Sequence, residues 1–319
     1  MKKSRSTITL FVIAFVALSL LVIGGCSAKN STTKDSESFE VAMLIPGNID
    51  DGGFMEAGYD GLMKIQNDLG AEVEYIDKVK PKLDKQTAAL RKLAQDKPDL
   101  IIAHGGQNSK AVKKVAKDFP DLKFVVVQGN VTGDNVASYE VLQEESAWLA
   151  GAAAGLLTKT DVVGHISGIR VTPGLKGRAA FADGLEYTNP DAKYLTTFSG
   201  DQDDPEINRQ VAQAEIDAGA DIIFTMLNAG RVGATEAIEE SEVREIGNVK
   251  DWTKTNPEVF IGSALANVSI PSYQAAKDVK EGKWKSQIVK IGLESKEAVD
   301  LALAPDVSQD VRDKIDQLA

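Results

Sequence analysis

Cysteine and histidine are almost absent from this sequence. There is one cysteine, Cys26, and there are two histidines, His104 and His165, in 319 residues. A single cysteine cannot form a disulfide within the chain, so the disulfide framework of many small secreted domains is excluded. A zinc site with the usual His and Cys spacing is disfavoured by the same scarcity, and no cysteine after Cys26 could serve as a nucleophile.

Signatures of common enzyme classes are also missing. The sequence contains no Gly-x-Ser-x-Gly, no Gly-x-x-x-x-Gly-Lys-Ser/Thr and, behind a predicted strand, no Gly-x-Gly-x-x-Gly. These motifs mark many hydrolases, nucleotide-binding proteins and dinucleotide-binding proteins. His104 ends a predicted strand and could act as a base, but we interpret both His104 and His165 as packed structural residues. We therefore predict that the protein is not an enzyme and uses no cofactor.

Basic residues are too few to balance the acidic ones. The formal net charge is −11, and loss of the leader cations Lys2, Lys3 and Arg5 would bring it three units lower, to about −14. Such a surface repels nucleic acid. A repressor that binds DNA is further disfavoured because no helix-turn-helix pattern precedes Phe39. We predict no nucleic acid partner.

A long apolar run occurs near the amino terminus, at residues 8–23, behind the basic first residues. This layout is typical of a secretory signal peptide, and the run is shorter than the roughly 20 residues that cross a bilayer as a helix. We predict a cleaved signal peptide over residues 1–25.

Cys26 follows this leader after Gly24 and Gly25, and the stretch resembles a bacterial lipobox. In a lipobox the cysteine sulfur carries a diacylglycerol, which with an acylated amino terminus gives stable anchoring. Residues 26–38 hold no aromatic or branched apolar side chain, so we predict a flexible tether there. We expect a protein anchored by lipid on the extracytoplasmic face of the cell membrane; a free cysteine is the alternative.

From Phe39 onwards, short β-branched segments alternate with longer helical patterns, which is typical of a parallel sheet covered by helices. The predicted strands are 40–45, 73–76, 100–103, 124–128, 136–139, 162–166, 194–198, 222–226, 246–249 and 259–263. The two halves of the chain repeat one order of strands, loops and helices. We predict an α/β fold with two similar doubly wound parallel-sheet lobes and a ligand cleft between them, at the carboxyl ends of the strands.

Four carboxylates crowd one segment of the second half, at Asp201, Asp203, Asp204 and Glu206. The segment lacks the glycine and the final glutamate of a calcium loop. Asp204 followed by a proline matches the cap and first turn of a helix. We interpret the segment as the start of a helix and predict no metal site.

Several short stretches each say little about the protein's family, but their order along the chain is informative. They are VAMLIP at 41–46, IDDGGF at 49–54, GYDGL at 58–62, EESAWLAG at 144–151, VGHISG at 163–168, FADGL at 181–185, DAGADIIF at 217–224 and FIGSAL at 260–265. Together they span roughly Glu40 to Trp284. The ordered set resembles the basic membrane lipoprotein (BMP) family of ABC-transporter substrate-binding proteins, which includes purine nucleoside receptors and competence-regulator-type lipoproteins.

The resemblance implies a periplasmic binding protein type I fold whose chain crosses three times between the lobes. It places lobe I at residues 38–143 and 262–284, and lobe II at residues 144–261 and 285–319. It further implies that Phe54 stacks on an aromatic ligand with Asp51 beside it. The predicted ligand-binding residues are Asp51, Phe54, Gly106, Gln107, Gln128, Gln202, Asn228, Arg231, Asp251 and Trp252.

The sequence departs from the family's pattern at three positions. Gln202 stands where a second stacking aromatic is expected, Val249 where an acid holds ribose hydroxyls, and Ala266 where a lysine is expected. Trp252 is a candidate replacement for the missing aromatic. These departures leave the ligand open among purine nucleosides, nucleobases and similar polar rings.

The leading hypothesis is a monomeric substrate-binding lipoprotein of an ABC importer. It captures a small polar, aromatic ligand between its lobes and delivers that ligand to a membrane permease. The alternative is a regulatory or sensory lipoprotein of the same fold that is not coupled to transport.

Overall fold

A computed structural model describes residues 38–319. Ser38–Ala319 form one compact unit. The predictions for the signal peptide at residues 1–25, for Cys26 and for the tether up to residue 37 lie outside the described residues. Over residues 38–319, the structure contains no helix that is both long and apolar enough to span a membrane.

The first lobe is built on a sheet of six parallel strands. These are β1 (Glu40–Leu44), β2 (Glu72–Ile76), β3 (Leu100–His104), β4 (Lys123–Val127), β5 (Val136–Val141) and β12 (Ile288–Ile291). Their order across the sheet is β12-β5-β4-β3-β1-β2, and every pairing is parallel. The covering helices are α1 (Phe54–Leu69), α2 (Leu83–Gln95), α3 (Ser109–Val115) and α8 (Ser269–Lys280).

Both faces of this sheet are buried, and the alternation of side chains along β1 shows how. Val41 and Met43 belong to the core on the side of α1 and α8. Ala42 and Leu44 belong to the core on the side of α2 and α3. Successive side chains of a strand point to opposite faces, so a strand covered on both sides is apolar throughout.

The second lobe repeats this plan. Its strands are β6 (Val162–Ser167), β7 (Lys193–Tyr194), β8 (Thr197–Phe198), β9 (Ile222–Met226), β10 (Arg244–Val249), β11 (Phe260–Ala266) and β13 (Val299–Leu303). The order is β13-β11-β10-β9-β6-β7, with β8 also on β6 and with β13 antiparallel. One apolar core of this lobe includes residues of α4 (Gln143–Leu157), α5 (Thr172–Thr188) and α9 (Gln309–Leu318). The other core includes residues of α6 (Pro205–Asp217) and α7 (Arg231–Glu240).

The predicted α/β architecture with two doubly wound lobes is confirmed. The predicted strand at 194–198 differs in detail, because it divides into the two short strands β7 and β8. The strands β12 and β13 were not predicted. Both strands are short, with four and five residues, and β12 is an edge strand whose Ile288 is exposed.

The last crossovers differ from the predicted boundaries. Residues 262–266 were assigned to lobe I, but they belong to β11, which pairs with β10 and β13 in the second sheet. Residues 288–291 were assigned to lobe II, but as β12 they pair with β5 in the first sheet. Which of the two sheets a strand joins depends on which sheet has a free edge nearby. The sequence of a short apolar strand does not indicate which sheet that is.

The acidic segment at residues 201–206 begins a helix, as predicted. The Asp204 carboxylate accepts hydrogen bonds from the backbone N–H groups of Glu206 at 2.9 Å and Ile207 at 3.1 Å. Pro205 is the first residue of α6, where its missing N–H has no cost. Throughout residues 38–319, no group of three or more His, Cys, Asp or Glu side chains is arranged to hold a metal ion.

Candidate functional site

A cleft of about 750 Å³ lies between the two lobes. Its walls include loops that follow β1, β3 and β4 of the first sheet and β6, β8 and β9 of the second, together with the last residues of β10. These are the carboxyl ends of parallel strands, where doubly wound folds bind their ligands. Residues of both lobes therefore face one shared space.

Seven of the ten predicted ligand-binding residues come together in this cleft. They are Asp51, Phe54, Gly106, Gln107, Gln128, Gln202 and Asn228. Arg231 and Trp252 instead line an adjoining cavity of about 460 Å³, which shares Asp51 and Asn228 with the cleft.

Asp251 lines neither space among the residues that the structure describes. Its carboxylate accepts hydrogen bonds from the N–H of Thr253 at 3.1 Å and from the Thr253 hydroxyl at 2.5 Å. Asp251 thus caps the short helical turn Trp252–Lys254. These hydrogen bonds of Asp251 stabilise the loop that carries Trp252.

Asp51 fixes the amino terminus of α1. One carboxylate oxygen accepts from the N–H groups of Gly53 at 2.8 Å and Glu56 at 3.1 Å, and the other accepts from Met55 at 3.2 Å. Burial raises the pKa of this carboxyl, while the three backbone bonds oppose that rise. Asp51 therefore positions the loop that brings Phe54 to the cleft.

Phe54 is held by a buried histidine. The Phe54 and His104 rings lie 4.3 Å apart between centroids, and His104 Nε2 lies 2.8 Å from the Phe54 carbonyl oxygen. Burial lowers the pKa of His104 to about 4, so the imidazole is neutral and its Nε2–H donates to that carbonyl. His104 thus supports the aromatic residue of the cleft, in keeping with the structural interpretation.

His165 is also structural. It is fully buried in β6, with Nδ1 3.0 Å from the Thr196 hydroxyl and Nε2 2.8 Å from the Ser167 hydroxyl. Burial lowers its pKa to about 3, so it is neutral over the physiological range.

The side chain of Gln128 forms hydrogen bonds with the backbone of a neighbouring strand. Its amide donates to the carbonyl of Val141 at 3.1 Å and accepts from the Val141 N–H at 2.6 Å. Gly106 packs against the same residue, because a Cβ at Gly106 would lie only 2.4 Å from the Gln128 carbonyl oxygen. Gln128 and Gly106 thus shape the cleft floor.

The side-chain amides of Gln107, Gln202 and Asn228 remain as hydrogen-bonding groups on the cleft wall. Gln107 is exposed and belongs to the first lobe. The Gln202 carbonyl accepts from the Asn228 N–H at 3.1 Å, which holds these two residues of the second lobe together. A Cβ at Gly168 would lie 2.2 Å from Gln202 Cγ, so glycine there lets Gln202 approach the end of β6.

Two polar contacts join the lobes beside the cleft. Arg231 donates to the Gly52 carbonyl at 3.2 Å, and Lys250 Nζ lies 3.0 Å from Glu56 Oε1. The Arg231 guanidinium also lies 3.5 Å above the Trp252 ring, and burial lowers its pKa to about 10. Both contacts place the second lobe against the amino-terminal end of α1.

A group of ion pairs that was not predicted from the sequence includes two residues of the cleft lining, Glu140 and Lys176. Lys176 Nζ lies 2.6 Å from Glu140 and 2.9 Å from Glu144. Glu140 is in β5 of the first lobe, whereas Glu144 and Lys176 are in helices of the second. The crossover from β5 to α4 could have indicated these residues, since a segment that joins two lobes runs beside their cleft.

The three departures from the family pattern have different surroundings. Gln202 and Val249 line the cleft. Ala266 is buried in the core beside α1 and α8 and does not line it. Val249 has φ of 71°, a left-handed conformation that is rare for a β-branched residue.

Known proteins that are similar to this chain point to one family. Residues 39–318 match the Bmp family, described as ABC transporter substrate-binding protein PnrA-like. The transcriptional activator protein med of Bacillus subtilis is 27% identical over 78% of this chain and 76% of its own length. A purine-binding protein of Brucella abortus is 28% identical over 70% of this chain and 64% of its own length.

A solved structure agrees in fold. The solute-binding protein of an ABC transporter system from Aeropyrum pernix superposes with a TM-score of 0.75 at 22% identity, covering 88% of this chain and 85% of that one. The fold is that of the type I periplasmic binding proteins. Since the family match covers nearly all of the described residues, this chain belongs to the Bmp family of PnrA-like ABC transporter substrate-binding proteins.

Proposed function

We propose that this protein is the substrate-binding lipoprotein of an ABC importer. It captures a small polar ligand with an aromatic ring between its lobes and delivers it to a membrane permease. The observation that carries the proposal is the cleft of about 750 Å³, whose lining comes from both lobes. A site of this size encloses a ring-sized ligand, and closure of two lobes around a ligand is a common hinge motion.

The chemistry of the lining supports an aromatic ligand with hydrogen-bonding edges. Phe54 offers a partly exposed ring backed by His104. The amides of Gln107, Gln202 and Asn228 can both donate and accept. A purine-type ring presents a flat face and an edge of donors and acceptors, and one relative is a purine-binding protein.

Mass spectrometry of the small molecules released on denaturation tests the proposed ligand class without a prior guess. We expect one nucleobase, nucleoside or similar ring in the purified protein, and a raised unfolding temperature when that compound is added back. At about a hundred times its dissociation constant, a ligand stabilises the folded state by roughly 2.7 kcal/mol. Absence of any shift with nucleobases, nucleosides, flavins and sugars would count against the proposal.

We further propose that Cys26 carries the lipid that holds the protein on the extracytoplasmic face of the cell membrane. The support is the lipobox-like stretch at residues 23–26 behind an apolar leader. Cys26→Ser should move the protein from the membrane fraction to the soluble fraction and abolish lipid labelling, whereas Ser27→Ala should change neither. Membrane retention of Cys26→Ser would refute the anchor.

A regulatory role is the second candidate, because one relative is a transcriptional activator protein. A deletion strain separates the two roles. Loss of solute uptake that a permease deletion reproduces supports transport, whereas altered transcription with normal uptake supports regulation.

A further inference from the structure

One segment of the first lobe carries the opposite charge to the rest of the chain. Residues 77–122 connect β2 to β4 through α2, β3 and α3, and they contain eleven Lys and Arg, six Asp and no Glu. Their net charge is therefore +5, whereas the whole chain carries −11 and its other residues together carry −16. All eleven cations are exposed. The positive charge is thus concentrated in one segment and lies on the outside of the protein.

The helix α3 places this charge on a single face. Its apolar residues are buried in the core of the lobe, and each of its exposed residues is a lysine. With the turn that follows the helix, the lysines at this spacing are Lys110, Lys113, Lys114 and Lys117. Residues three and four apart share one side of a helix, and like charges there repel one another. The arrangement weakens the helix, so the stability of the fold does not explain it.

No carboxylate neutralises these four lysines. Among residues 38–319, none of the four takes part in an ion pair. Asp118, the residue after Lys117, pairs instead with Arg91 of α2 at 2.6 Å. Leu90 of α2 and Val112 of α3 belong to one apolar core, so the two helices lie side by side. Their exposed residues form one basic surface, which we call the α2–α3 surface.

The start of the described chain lies beside the α2–α3 surface. The Glu40 N–H donates to Asp99 Oδ2 at 2.9 Å, and the Asp99 N–H donates to the Glu40 carbonyl at 2.9 Å. Asp99 lies four residues after the end of α2, just beyond the exposed Lys97. The twelve residues 27–38 can span at most about 43 Å. A lipid on Cys26 would therefore keep the α2–α3 surface within reach of the membrane.

We propose that the α2–α3 surface docks on the anionic phospholipid head groups of the membrane that holds the lipid anchor. The proposal rests on the anchor in the proposed function and goes beyond ligand capture. Clusters of about four to eight Lys and Arg on one side of a helix bind anionic lipid in other proteins. The acidic residues elsewhere do not prevent this contact. They lie behind a layer of helices about 10 Å thick, and the Debye length is about 8 Å at physiological salt.

Co-sedimentation with lipid vesicles tests the proposal. The mature chain with Cys26→Ser lacks the proposed anchor, so its binding reports the protein surface alone. We expect it to partition at least about tenfold more tightly onto vesicles that contain phosphatidylglycerol than onto phosphatidylcholine vesicles, because each lysine near an anionic surface contributes about fivefold. The preference should disappear at about 1 M salt, where the Debye length is about 3 Å.

Two quadruple variants show whether the α2–α3 surface is responsible for this preference. The first variant combines Lys110→Gln, Lys113→Gln, Lys114→Gln and Lys117→Gln. It should reduce partitioning onto the anionic vesicles at least about tenfold.

The matched control removes the same charge from four exposed lysines outside this surface, none of which forms an ion pair among residues 38–319. It combines Lys159→Gln, Lys193→Gln, Lys296→Gln and Lys314→Gln. We expect this control to bind the anionic vesicles as the Cys26→Ser chain does. Glutamine and lysine have similar helix propensities, so both variants should unfold near the wild-type temperature.

Three results would overturn the proposal. The first is equal partitioning onto neutral and anionic vesicles, and the second is an equal loss in the two quadruple variants. The third is binding to vesicles of native membranes but not to phosphatidylglycerol vesicles, which would assign the surface to a protein partner. None of these mixtures contains a ligand of the cleft, so each of these results leaves ligand capture standing.

Discussion

A buried glutamate of the second lobe makes stability depend on pH. Glu215 is 4% exposed, and it accepts a hydrogen bond from the Thr197 hydroxyl at 2.9 Å. Burial raises the pKa of Glu215 from its ordinary 4.5 to about 7, so the folded state prefers the protonated form. The stability gained from this preference is fully present below pH 4.5 and is lost as the pH rises through about 7.

Glu215→Gln mimics the protonated side chain and should remove this pH dependence. We expect a free energy of unfolding close to the wild-type value at pH 5 and a larger one than the wild type at pH 8. A difference of about 3 kcal/mol is the upper bound from the pKa shift. Urea titrations at both pH values measure it, with Glu206→Gln, an exposed residue of the same helix, as the control. Equal pH dependence in Glu215→Gln and the wild type would refute this account.

The sequence predicted the positions of some site residues but not the contacts of others, because those contacts are made with residues distant in the chain. Asn228 was predicted in the cleft because it follows a strand at its carboxyl end, whereas Phe54 was predicted from the resemblance to the family. The bonding of Gln128 to Val141, 13 residues further on, could not be read from the sequence. Lys176 was missed because its partners Glu140 and Glu144 meet it through tertiary packing.

The amino-terminal turn of α1 depends on one carboxylate. Asp51→Ala removes the acceptor of three backbone hydrogen bonds, whereas Asp50→Ala changes an exposed neighbour. Loss of a helix cap costs about 0.5 to 2 kcal/mol, and buried unpaired N–H groups add to it. We expect Asp51→Ala to lower the free energy of unfolding by about 1 to 3 kcal/mol in denaturant titrations. A similar small loss in both variants would show that Asp51 has no special role.

Elements with strong local patterns were predictable, and elements defined by distant partners were not. The strand β3 is apolar throughout and is bounded by turn residues, so the sequence predicted it directly. The strand β12 became a strand of the first sheet through its pairing with β5, about 150 residues earlier. The positive φ of Val249 likewise occurs beside tertiary contacts, since Trp252 hydrogen-bonds to the Asn248 carbonyl and to Ser263 of a neighbouring strand.

The two lobes are linked by an ion pair that should favour closure. Lys250 and Glu56 belong to different lobes and are each partly exposed. Exposed pairs contribute about 0.2 to 1 kcal/mol, so Lys250→Ala should weaken ligand binding by a factor of about 1.4 to 5. The effect should vanish when Glu56→Ala is already present. Calorimetry of the single and double variants measures this coupling.

Lys254→Ala provides the matched control for the ion pair. Lys254 pairs with Asp251 inside the second lobe at 3.2 Å and, among residues 38–319, makes no ion pair with the first lobe. Its removal should leave ligand affinity unchanged. Additive effects of Lys250→Ala and Glu56→Ala would contradict a role for their pairing in closure.

The architecture of the whole molecule was predictable because the sequence repeats it. Two halves with the same order of strands and helices give two sheets, and parallel strands place their carboxyl ends at one cleft. The crossovers at residues 262–291 were placed wrongly, since they depend on which sheet accepts β11 and β12.

Binding of the ligand in the cleft can be measured by calorimetry with the compound released from the purified protein. We predict that the wild type binds one molecule of this compound per chain and that Phe54→Ala weakens binding at least about fivefold, because base-aromatic stacking contributes about 1 to 3 kcal/mol. Tyr75→Ala, in β2 and outside the cleft, should bind as the wild type does. Unchanged affinity in Phe54→Ala would contradict binding of the ligand in this cleft.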